Sequence, residues 1–543
     1  MKKRLFNTLA LLPTALFVVA SLSGCSNEQS GSEKLILRVL SSADYIYEED
    51  SIDAYDTDCN YTSAYLLDEE GNPKANMMDQ FVAYMADTYN IEVSYVYDTF
   101  DTNETMYNEL MTGKSSYDII CTSDYMVQKL ISTDLIQPIS TENYTESDEL
   151  KNIHNNISSY LWDIFDGIHP KDKNTNEPIK DKIVSSYSVP YMWGTVGVMY
   201  NPAFYSNLET DSVIELFKSW DALYSEDTKN SFSIKDSVRD VYAVSIVHAL
   251  YQDEIKPLEE KLASNQITKA EFNVELNKIF NRCDSDTLTL IKEDILALKS
   301  NSFGFEVDSG KTDMIEGKIG ANLAWSGDAT WAIEQAESDY GKELYFSIPK
   351  EGSNIWIDGF CIPTSSTQKD LATKFIDFMS QPTQAIENMW CVGYTSATAG
   401  IDTLNYIYEN YDIRGAVGGE ILEDYVDYEA GTYDLSYFFG NSIDNPADAV
   451  LNPIPGVVGR TLTAQFPEQG ELSHLCVMDD FGTQNEAVLD MWEHVRTNAL
   501  PIWAIIILLI ELLAALTFFI YTIIRKVSKK RLKKVRRDER LLN

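Results

Sequence analysis

The sequence predicts an α/β protein of at least two lobes, because strand and helix patterns alternate along it and because it is too long for one core. Leu35 to Leu40 reads as a buried strand, Asn76 to Tyr89 as an amphipathic helix and Ile91 to Tyr97 as a second strand. Thr105 to Met111 follows as a helix, and Tyr117 to Thr122 as a strand running into another helix. This alternation implies a parallel sheet with helices on both faces, and a ligand beyond the carboxyl ends of the strands. Roughly 470 residues lie between the two unusual ends of the chain, more than a single hydrophobic core organises. Within Gln252 to Ser300, Leu258, Leu262, Phe272, Leu276 and Ile279 recur among charges, with a break near Ser264-Asn265-Gln266. That pattern predicts a helical hairpin inserted at the surface. The stretch 399–471 is rich in Tyr, Asp and Gly without a clear period and reads as irregular.

Each end carries a membrane signal. Lys2, Lys3 and Arg4 precede an apolar stretch from Leu9 to Ala20 and then Leu22-Ser23-Gly24-Cys25, which reads as an export signal over 1–24 with Cys25 as a lipidated new N-terminus. Pro501 to Ile524 is apolar except for Glu511, which reads as a protonated or helix-packed side chain; the run is long enough to cross about 30 Å of hydrocarbon as a transmembrane helix. The basic tail 525–543 follows, so the positive-inside rule places it in the cytoplasm and the preceding chain outside the cell membrane.

The basic ends hide how acidic the middle is. The formal net charge is −41, yet the part between the ends carries about fifty excess negative charges. Such a surface disfavours nucleic acid and anionic lipid, and its field attracts cations. The seven cysteines show no CxxC pair and the five histidines no HxxxH or HExxH spacing, so the sequence offers no metal site, disulfide framework or cofactor motif. No Gly-x-Ser-x-Gly elbow or phosphate loop is present, and an enzyme is the poorer reading.

Several short segments combine aromatics with carboxylates: Asp44-Tyr45, Ser123-Asp124-Tyr125, Trp325, Trp356-Ile357-Asp358 and Tyr394. An alkyl-amine requires these groups, because a buried ammonium needs a carboxylate partner and aromatic faces add cation–π attraction. On a strand, Trp356 and Asp358 point to the same face.

These segments occur in an order that resembles the spermidine/putrescine-binding proteins of bacterial polyamine ABC transporters. The likeness runs from Lys34 to Arg496 and is carried by Asn103-Glu104-Thr105-Met106-Tyr107, Tyr117-Asp118-Ile119-Ile120, Tyr187 to Gly194, and Pro349-Lys350-Glu351-Gly352 leading into Trp356-Ile357-Asp358. The resemblance implies a two-lobed, periplasmic-binding-protein-like clamp of type II, with crossings near Trp193 to Val198 and Trp356 to Asp358. Lobe 1 would comprise 34–195 and 357–475, with the insertion 399–471; lobe 2 would comprise 196–356 and 476–497, with the insertion 252–300. It further implies a polyamine ligand, no cofactor, and the permease and ATPase subunits of an ABC transporter as partners.

By the same likeness Asp358 pairs with a central amine and Trp356 and Trp325 flank the chain. Ser123, Tyr125, Tyr45 and Tyr394 match pocket residues, and Asp240 replaces a glutamate that pairs with a terminal amine. The departures are specific. Where the family has Trp-Thr-Glu-Tyr, this chain has Ser42-Ala43-Asp44-Tyr45, and a family aspartate is here Ser237, with Asp236 beside it. The family's C-terminal pocket glutamine falls near Met478 or Asp479. A second reading, a membrane-anchored cation receptor that modulates a partner, would use the same cleft.

Overall fold

The computed structural model describes residues 35–48, 74–113, 116–139, 151–307, 309–411, 432–451 and 457–497, together with Ile510, Leu513 and 516–530. Its main strands are β1 (Leu35–Ser42), β2 (Val93–Phe100), β3 (Ile119–Ser123), β4 (Ser188–Tyr200), β5 (Phe232–Lys235), β6 (Gly304–Glu306), β7 (Ala321–Trp325), β8 (Tyr345–Ser347) and β9 (Ser353–Pro363). They hydrogen-bond in the order β2-β1-β3-β9-β4-β7-β5-β6, with β8 also on β4. Among these main strands the expected parallel pairing is found in the two wings: β1 runs parallel to β2 and β3, and β5 runs parallel to β6 and β7. In the middle, β9 is antiparallel to β3 and β4, and β4 is antiparallel to β7. A chain that leaves one lobe and later returns must cross in opposite directions, and this gives the central antiparallel pair.

β4 is buried along all of its 13 residues. Its Met192 and Trp193 belong to one hydrophobic cluster, with Phe81, Phe165 and Phe375, while Val196 and Val198 belong to a second, with Trp220, Tyr242 and Phe272. A third cluster, around Met199, Ile333 and Leu344, completes the second lobe. The molecule is therefore two-lobed, with β4 and β9 shared between the lobes.

Three helices, Lys256–Ala263, Lys269–Phe280 and Ser285–Asn301, replace the expected surface hairpin. Thr268 and Glu271 form a capping box at the start of the second, and Asp284 caps the third. Phe272, Leu276, Ile291 and Ile295 are buried in the second cluster, so these helices help to build a lobe core. The apolar rows face helix Val238–Leu250, which is itself buried on most sides and needs cover all round. The stretch expected to be irregular contains helices Ile401–Tyr411 and Val457–Gln465, while 412–431 and 452–456 lie outside the described residues.

The expected leader 1–24, Cys25 and the distal tail 531–543 also lie outside the described residues. Among the described residues no helix is long and apolar enough to cross a membrane, so the expected transmembrane helix Pro501 to Ile524 is not supported as such. Of that run only Ile510, Leu513 and 516–524 are described; Phe518, Phe519 and Ile524 among them are exposed. The five described cysteines are free thiols.

Candidate functional site

Strand ends and helix starts converge where the lobes meet. Along β9, Ile355 and Ile357 are buried while Trp356 and Asp358 are only partly so, which puts the latter two on one face toward the cleft. Asp358 stands opposite Ser123 at the end of β3, and the pairing shifts between Asp358 and Gly359 where β9 runs along β4. The Tyr45 hydroxyl donates to Asp358 Oδ2 at 2.6 Å. Asp358 Oδ1 is buried with no hydrogen-bond partner among the described residues, and so is Trp356 Nε1. Burial raises the Asp358 pKa; Tyr45 and the nearby Ser123 hydroxyl pull it down, and the Asp240 charge adds to the rise.

An aromatic wall surrounds this carboxylate. Tyr45 meets Tyr191 and Tyr394 edge to face at 5.7 and 5.9 Å, and Trp356 meets Tyr394 in the same way at 5.5 Å. Gly393, at φ 77°, ends helix Pro382–Val392 in the left-handed conformation and turns the chain into Tyr394. A Cβ at Gly194 would lie 2.6 Å from Trp356 Cζ2, so the glycine lets that ring lie against β4.

The second lobe supplies the other half. Trp325, the last residue of β7, donates from Nε1 to Asp240 Oδ2 at 3.0 Å. Asp240 is in the first turn of helix Val238–Leu250, whose N-cap is Ser237. Burial raises the Asp240 pKa, while Ser237, Trp325, Lys235 and Arg239 counter it. Tyr394 reaches across to donate to Asp328 Oδ1 at 3.0 Å. Asp328 also lies 2.9 Å from Lys235 Nζ, and the charges of Lys235 and Lys311 hold its pKa below the usual value despite burial.

Ten of the eleven expected ligand-site residues are partly or fully buried, but they do not all join this cluster. Asp44 is exposed at φ 54°, with no hydrogen bond to the other site residues. Asp236 pairs with Arg496 at 2.6 Å, and Ser237 serves as a helix cap. Tyr125 stands to one side, its hydroxyl bonded by Asn103 at 3.1 Å and its ring 3.5 Å beneath the Arg239 guanidinium.

Three residues that sequence reasoning does not single out, Asp328, Lys235 and Arg239, also shape the site, and so does Asp124, which the sequence offers within Ser123-Asp124-Tyr125 but without a role. Asp124 accepts from the backbone N–H of Ile357 at 3.0 Å and so fixes the segment that carries Trp356 and Asp358; burial pushes its carboxyl up to about 8. Asp124 and Asp328, like Asp240, occupy the first turn of a helix that starts at a strand end. An aspartate just after a strand, opening a helix, is the signal that could have found them.

The lobes are also bridged away from the cluster. Lys171 lies 2.8 Å from Asp479, Gln128 accepts from Asp480 N at 3.2 Å, and Arg239 donates to the Asp479 carbonyl at 3.0 Å while covering Tyr125.

Comparison with known proteins agrees with this architecture. The spermidine/putrescine-binding periplasmic protein of Salmonella typhimurium is 27% identical over 304 residues, covering 56% of this chain and 70% of that protein. Spermidine/putrescine-binding periplasmic protein 1 of Haemophilus influenzae is 23% identical over 419 residues, 76% of this chain and 88% of its own length. A solved structure from Listeria monocytogenes, provisionally assigned to spermidine/putrescine ABC transport, covers 85% of this chain and 99% of its own at a TM-score of 0.51 and 19% identity, a likeness of fold. The family model described as bacterial extracellular solute-binding protein matches residues 69–386, more than half of the sequence, and the chain belongs to that family.

Proposed function

We propose that the protein binds a polyamine or a related alkyl-amine in the cleft between its lobes, outside the cytoplasm, and delivers it to an ABC transporter permease. The observation that carries this reading is Asp358: a carboxylate walled by Tyr45, Trp356 and Tyr394, with one oxygen lacking a partner among the described residues. An ammonium beside Oδ1 would regain the interactions it loses on leaving water, and the ring faces suit its methylenes. The relatives' printed names support the ligand class. Lipidation at Cys25 and a membrane-embedded Pro501 to Ile524 belong to the same proposal; the exposed Phe518, Phe519 and Ile524 suit a lipid environment.

Calorimetric titration of the full chain with spermidine, putrescine and agmatine tests it. Micromolar or tighter binding of one amine is expected, weakened about a hundredfold or more in Asp358→Ala, because a desolvated ammonium would lose its counter-charge. Absence of binding by folded protein to all three amines would refute the reading.

A further inference from the structure

We infer that Lys235 is a built-in ammonium that occupies the second-lobe half of the cleft, so that the site recognises one ammonium of a short amine and excludes longer polyamines. The inference rests on the amine-binding reading above and goes further by naming the length class of the ligand and the residue that sets it.

Lys235 ends β5 and is only 2% exposed. Its Nζ lies 4.5 Å over the ring of Trp325, 2.9 Å from Asp328 Oδ2 and 3.6 Å from Glu306 Oε1, and it donates to the Val307 carbonyl at 3.3 Å. An aromatic face plus a carboxylate is what a ligand ammonium would take there. Here the protein's own side chain takes it. Asp240, on the same tryptophan, already feels the positive charges of Lys235 and Arg239. Asp358 is different: Tyr45, which donates to it, and the nearby Ser123 are neutral, and among the described residues no cation pairs with it. The two halves of the cleft thus differ in charge demand. The Asp358 half holds no cation among the described residues, and the Trp325 half already holds the Lys235 ammonium between Asp328 and Glu306.

An amine long enough to carry a further ammonium from Asp358 toward Trp325 would bring it against Lys235, in a site of low dielectric where like charges repel strongly. A short amine avoids that encounter.

The test is a titration series of the full chain with butylamine, putrescine and spermidine, repeated on Lys235→Met and on the charge-balanced pair Lys235→Met/Asp328→Asn. For the unsubstituted protein, spermidine is expected to bind at least tenfold more weakly than putrescine. Either variant should raise the affinity for spermidine relative to putrescine by about tenfold or more. Spermidine binding as tightly as putrescine to the unsubstituted protein would overturn the inference while leaving the amine reading intact, and so would an unchanged ratio in a folded variant. Loss of all three amines from the folded, unsubstituted protein would overturn both. If neither variant folds, the ranking on the unsubstituted protein decides.

Discussion

Asp358 and Asp240 are acids kept in aromatic surroundings, and burial raises both pKa values; the ligand ammonium is expected at Asp358, which has no cation beside it among the described residues. The sign of the pH dependence follows. A raised pKa means that the carboxyl holds its proton to higher pH than a solvated one, and an arriving ammonium favours the ionised form and lowers that pKa again. Binding should therefore release protons, and affinity should rise with pH across the interval between the ordinary carboxylate range and the raised values. Calorimetry in two buffers of different ionisation enthalpy measures the release directly; a proton count of zero throughout that interval would contradict it. At this scale the sequence is informative where chemistry and strand geometry coincide, as in Trp356-Ile357-Asp358. It misleads where a distant neighbour decides what a side chain does. Nothing near Asp236 in the sequence announces Arg496, and nothing in Phe232-Ser233-Ile234-Lys235 shows that the lysine points inward.

The crossing strands set the precision of the site. On β4, a side chain at Gly194 would meet Ser326 Oγ and Trp356 Cζ2, each 2.6 Å from the added Cβ. Gly194→Ala should force the indole away from Asp358 at a cost of about 1–3 kcal/mol, read as a loss of amine affinity of roughly tenfold or more. Titration followed by tryptophan fluorescence checks this; unchanged affinity would mean that Trp356 does not touch the ligand. Strands and first-lobe helices are legible because their apolar periods are clean and their ends carry turn residues. The helices in 252–300 are legible as helices but not in their place, since a helix with many charges reads as a surface element until its apolar row is seen against Val238–Leu250. Helices Ile401–Tyr411 and Val457–Gln465 escape a reading of the sequence because tyrosine and glycine obscure a helical period.

For the whole molecule, composition and length indicate two lobes and an acidic exterior, and the long buried β4 supplies the joint between them. What no local pattern conveys is that side chains bridge the lobes: Arg239 lies over Tyr125, Lys171 faces Asp479 and Gln128 accepts from Asp480 N. These bridges have a kinetic meaning. If the closed arrangement predominates in solution, a ligand must wait for the cleft to open, and its apparent affinity is reduced by the small fraction of open molecules. Stopped-flow mixing with a tightly bound amine should then give an observed rate that levels off as concentration rises, the plateau being the opening rate. Lys171→Ala removes a partly exposed ion pair worth under about 1 kcal/mol and should lift that plateau by no more than a few-fold. A rate that climbs linearly to millimolar concentration would show that the gate stands open. On the amine-binding proposal, a clamp with that plateau would work as a timer as well as a trap: the interval between captures would be set by its own side chains, and abundance of the solute beyond a threshold would no longer speed capture.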